Sequence, residues 1–136
     1  MSQLNSYKKQ AIAPNWTRAE MLVFIYDRLL GSLEACEMAR DQNDSVTVAQ
    51  QQLEACKAIA ALEAGLKPEE DEVAANIARL LHFVVGELEN QNFASAIKVV
   101  TPVREAFAAV QAQADQMEAN GEIAPVPTDD TYQSMA

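Results

Sequence analysis

From residue 17 onward, apolar side chains recur at helical spacing, separated by short polar stretches. Leu22, Ile25, Leu29, Leu33 and Cys36 follow at steps of 3, 4, 4 and 3 residues, the stripe that a helix turns toward a core. This predicts a first helix from Thr17 to about Arg40. "TRAE" at its start reads as a capping box, in which Thr17 and Glu20 each take an otherwise unpaired N–H. "DQNDS" ends it with residues that favour turns. A second helix is expected from about Ser45 to Leu66, closed by "GLKP" with Gly65 as cap. It carries two stripes on different sides: Val46, Ala49, Leu53, Cys56 and Ala60, and Val48, Ala55, Ile59, Leu62 and Leu66. A third is expected to start near Pro68, with Glu69 to Glu72 at its positive end. Its stripe is Val73, Ile77, Leu80, Leu81, Val84 and Leu88.

After the turn "ENQN", a fourth helix runs from Phe93 to about Glu118. Its stripe is Phe93, Ile97, Val100, Val103, Phe107, Val110, Ala114 and Met117. Pro102 lies inside it and removes the bond to the Lys98 carbonyl. A kink is expected there, and the alternative is a break with Thr101 capping a new helix. Residues 1–16 read as an extended arm, 17–119 as the bundle, and 120–136 as a disordered tail with two prolines and no periodicity. Four amphipathic helices joined by short turns make an all-α antiparallel up-and-down bundle.

Composition supports this picture. The 136 residues suit one domain, only four are glycine, and alanine, leucine, glutamate and glutamine are common. A net charge of −10 repels phosphate backbones and anionic lipid, so nucleic acid is an unsuitable partner and membrane insertion is not expected. The apolar run Met21 to Tyr26 is far too short to span a bilayer. Cys36 and Cys56 form no CxxC pair and read as reduced core residues of a cytosolic protein.

Chemistry-bearing patterns are missing. His82 is the one histidine, and it falls opposite Leu81 and Leu88 on its helix, as a solvent-facing residue would. A di-metal bundle site wants Glu-x-x-His, but Arg79 stands three residues before His82. There is no glycine-rich phosphate loop. The chain therefore reads as a non-enzyme with no metal and no cofactor.

What remains is surplus apolar surface. Phe24, Gly31 and Met38 recur every seven residues on the rear of the first helix, and the second helix has its own surplus along Val48 to Leu66. A wide core would absorb both. The other reading is a groove for an amphipathic partner, with Met38 suited to an adaptable surface.

Several elements, in their order and distances, resemble the flagellin export chaperones, the FliS family. They are Asn5, Tyr7, Ile12, Thr17, "MLVFI" and Tyr26–Asp27, then the polar turn with Asp44, then Leu53, Ala55, Ile59, Leu62 and Leu66, and finally "REAF" at 104–107. The likeness covers about residues 5 to 110. Departures are Arg28 where the family has glycine, Arg18 where proline is usual, and Leu81 and Phe83 at tyrosine sites of the third helix. The resemblance implies a cytosolic chaperone that binds the C-terminal segment of flagellin, prevents its polymerisation and delivers it to the flagellar type III export machinery. It also implies a mobile arm carrying Tyr7 and Ile12, which folds over part of the client surface. Phe24, Gly31, Met38, Ile59 and Leu62 are then the candidate groove residues, although each also fits an ordinary core position. The alternatives are a chaperone for another export substrate, or a helical adaptor that buries its stripes by oligomerising.

Overall fold

The computed structural model describes residues 18–121. The arm with Tyr7 and Ile12, the Thr17 cap and nearly all of the tail lie outside the described residues. Four helices make up the structure: α1 (Arg18–Asp41), α2 (Ser45–Ala64), α3 (Glu72–Glu89) and α4 (Phe93–Ala119). Among the described residues there is no strand. The bundle runs up and down, with α1 packed along α2 on one side and α4 on the other, and α3 closing the fourth side less tightly.

The stripe of α1 is the centre of the core. Ile25, Leu29, Leu33 and Cys36 are all fully buried, and Tyr26 joins them from the α4 side. Opposite them lie Ala55, Ile59 and Leu62 of α2, Leu81, Val84 and Leu88 of α3, and Phe93, Ala96 and Val100 of α4. Burying a side chain of this size is worth roughly 1.5–3 kcal/mol.

Two three-residue turns at one end of the bundle have the same construction. Asn43 and Gln91 both adopt φ 57. In the first turn Asp44 N donates to Ala39 O at 2.8 Å, and in the second Asn92 N donates to Glu87 O at 2.8 Å. Asn43 N to Arg40 O (3.0 Å) and Gln91 N to Leu88 O (3.1 Å) complete two Schellman motifs. Asp44 then caps α2, accepting from the Thr47 hydroxyl at 2.6 Å and from Thr47 N at 3.1 Å. Those two bonds hold its carboxyl below the usual range.

The other end differs from expectation. α3 begins at Glu72, because extended Asp71 (φ −147) takes the Val73 N–H at 2.9 Å and acts as the N-cap. Pro68 instead occupies the second position of a turn closed by Glu70 N to Lys67 O at 3.0 Å. Gly65 does cap α2, but at φ −92 it uses no conformation reserved for glycine.

α4 is unbroken through Pro102. Thr101 caps no new helix. Its hydroxyl donates back to Ile97 O at 2.7 Å. Phe107 of the α4 stripe is half-buried against the core, whereas Val110 is 54% exposed.

The larger correction concerns α2. Its core side is Val48, Ala55, Ile59 and Leu62, and the stripe Val46, Ala49, Leu53, Cys56 and Ala60 faces outward. Both stripes have helical spacing. The α1 and α3 surfaces decide between them, since only the Val48 stripe meets partners. Cys56 is accordingly exposed, whereas Cys36 is buried with its thiol toward Val48 O at 3.8 Å.

Candidate functional site

The core does not fill the end of the bundle where α1 begins, α2 ends and α3 begins. An open groove of about 590 Å³ remains there. Its walls are mainly apolar: Met21, Leu22 and Tyr26 from α1, Leu62 from α2, Leu66 from the link, and Ile77 from α3, with Phe107 reaching in from α4. Arg18, Lys67, Glu70 and Asp71 add charges of both signs to the lining.

The back of the groove is a cross-bundle pair of contacts. The Tyr26 and Phe107 rings stack with centroids 5.3 Å apart and planes 21° from parallel. Such a pair adds about 0.5–1.5 kcal/mol beyond the area it buries. Beside the stack, Arg104 grips Asp27 through Nε–Oδ1 at 2.7 Å and Nη2–Oδ2 at 3.2 Å. The bond to Asp27 raises the Arg104 pKa. Burial pushes the Tyr26 hydroxyl up to about 12.

The structure separates the five candidates on α1 and α2. Gly31 and Met38 lie on the outer face of α1, Met38 being 64% exposed and Gly31 having open space where a side chain would go. Phe24, half-buried against the core, lies beside them under the Arg28 guanidinium, which is 6.0 Å from its ring centre. Ile59 is core at 2% exposure. Leu62 is core as well, but one edge of it lines the groove. The five therefore do not converge on one surface. Sequence reasoning missed Leu22 and Ile77, which read as ordinary core, because only the tertiary packing leaves them open to the groove.

A second apolar surface is the outward stripe of α2. Val46 is 66% exposed and Leu53 is 56% exposed, and Ala49, Cys56 and Ala60 sit between and beyond them. Among the described residues, no group of three or more His, Cys, Asp or Glu could hold a metal ion. His82 is exposed, as its place on the helix predicts. No described helix is long and apolar enough to cross a membrane.

The Tyr26–Asp27 and Arg104–Phe107 segments, both part of the resemblance described above, thus meet in one place. A family model described as "Flagellar protein FliS" matches residues 1–119. The chain belongs to the FliS family. The match takes in all four helices and stops where α4 stops, leaving residues 120–136 outside the FliS region. No curated protein and no solved structure matches the chain. Within the FliS frame, the groove and the Tyr26–Phe107 and Asp27–Arg104 contacts all lie in the shared region.

Proposed function

We propose that this FliS-family chain is a cytosolic export chaperone. Its client is the C-terminal segment of flagellin, which it keeps from polymerising and delivers to the flagellar type III export machinery. The observation that carries this reading is the groove of about 590 Å³ with mainly apolar walls at one end of the bundle. A segment disordered on its own gains enough from apolar contact to offset much of its ordering entropy. Binding of this kind needs no covalent chemistry. The charge of −10 keeps the protein dispersed while apolar surface stays open.

The arm carrying Tyr7 and Ile12 joins the bundle at Arg18, which lines the groove. On this reading Tyr7 and Ile12 add client contact beside the groove. Phe24, Gly31 and Met38 supply further contact along α1, and Leu62 contributes through the groove wall.

Titration calorimetry with the C-terminal segment of the same organism's flagellin tests the proposal. Saturable binding with a negative heat-capacity change is expected, and Ile77→Asp should weaken it at least about tenfold, the effect of roughly 1.4 kcal/mol. Flat heats from a folded wild-type protein would overturn the flagellin assignment and direct the search to other export substrates. The outward α2 stripe favours one second reading, a helical adaptor, for which a large stable homo-oligomer on sizing would be the sign.

A further inference from the structure

We infer that α3 is a flap that pivots about its C-terminal end and so sets the width of the groove. The two ends of α3 are held very differently. Its C-terminal half carries Leu81, Val84 and Leu88, all 2% exposed or less. Gln52 of α2 donates to Leu88 O at 2.7 Å, and Arg40 of α1 donates to Gln91 O at 2.6 Å in the turn that follows. Arg40 also lies 5.5 Å over the Phe93 ring, so α1, α2, α3 and α4 are tied together at this end. The three-residue turn from α3 to α4 is closed by its own hydrogen bonds.

The N-terminal half has little of this. Its one buried residue is Ala74, at 8% exposure; Ile77 and Leu80 pack against the core only half-buried, and Val73 is 63% exposed. Among the described residues, its side chains make polar bonds only locally: Asp71 caps Val73 N, and Arg79 bonds Asn76. The groove lies between this half and the body of the bundle, with Val73, Ala74 and Ile77 on its wall. The link from α2 is seven residues long, residues 65–71, against three in each of the other two turns. Element ends and links absorb hinge motion, and packed contacts resist it. A helix fastened at one end and edged by open volume at the other moves as a lever, and its free end widens or narrows the groove.

The α3 flap regulates the groove assigned above to the client; its purpose rests on that assignment, and its motion does not. Double electron–electron resonance on the free, full-length protein tests the motion. Nitroxides are attached through Glu34→Cys, on the outer face of α1, paired with either Val73→Cys or Glu89→Cys. Exposed Cys56 is replaced by serine. The distance from 34 to 73 should be distributed about twofold more broadly than that from 34 to 89, as for a collective hinge. Equal widths, or a broader distribution for the 34-to-89 distance, would overturn the pivot. Gln52→Leu, which removes one tie at the fastened end, should broaden the 34-to-89 distance, and an unchanged width would overturn the role of that tie. Adding the flagellin segment then separates the two ideas. Narrowing of the 34-to-73 distance supports a client-gripping flap, whereas no effect on a broad distribution leaves the pivot standing and counts against the client.

Discussion

Asp27 and Arg104, 77 residues apart, meet in a two-pronged ion pair that joins α1 to α4. The Arg104 side chain is 27% exposed and that of Asp27 is 50% exposed, so water screens much of the attraction. A double-mutant cycle with Asp27→Ala and Arg104→Ala should give a coupling of about 0.5–1 kcal/mol in urea unfolding, falling with added salt. A coupling near zero would leave the Tyr26–Phe107 stack as the cross-bundle fastener at this level.

Tyr26 makes stability depend on pH at the alkaline end. Its hydroxyl ionises near 10 when unfolded and near 12 when folded, because burial disfavours the phenolate. The contribution is therefore complete below pH 10 and is lost as pH rises toward 12. A gap of that size corresponds to about 3 kcal/mol. Urea unfolding at a series of pH values should show a shallower fall for Tyr26→Phe than for wild type. A residual slope starting about one unit lower should remain, because burial also raises the Cys36 thiol, from 9.0 to about 11.

Gln91 holds a left-handed conformation that glycine adopts at no steric cost. Gln91→Gly should stabilise the bundle by about 0.5–1 kcal/mol, since the bond from Arg40 goes to the backbone carbonyl and survives the change. Asn43→Gly should gain less, because asparagine tolerates this conformation better than glutamine does. Thermal unfolding of both variants checks the order.

The two thiols should separate cleanly. Cys56 is exposed and Cys36 is buried. Alkylation of the folded protein should modify Cys56 alone, and slowly, because partial desolvation and then the Glu89 carboxylate raise its pKa. Cys36 should react only at the rate of unfolding, as read by mass after peptide digestion.

Periodicity carries far in this chain. The α1 stripe from Ile25 to Cys36 and the turns around Asp44 and Asn92 are local matters of spacing and turn chemistry, and they stand where their residues place them. Periodicity cannot choose between the two stripes of α2, because Val46–Leu53–Cys56 and Val48–Ala55–Ile59 obey the same rule and only the neighbouring helices select one. It also places the start of α3 too early, since Asp71 competes for the Val73 N–H that a longer helix would need. The groove is the least legible feature. It arises from how loosely α3 packs against its neighbours, a tertiary quantity that no stretch of sequence encodes alone.

The place of α1 between α2 and α4 has a consequence for biosynthesis. The flank of α1 that holds Tyr26 is completed by Phe107, which is among the last parts of the bundle to be translated. Until then the nascent chain has a hairpin of α1 and α2 with one greasy side uncovered. A transcript cut short before codon 107 would leave that side bare permanently, and its product should be cleared by cellular proteases rather than accumulate as a working fragment.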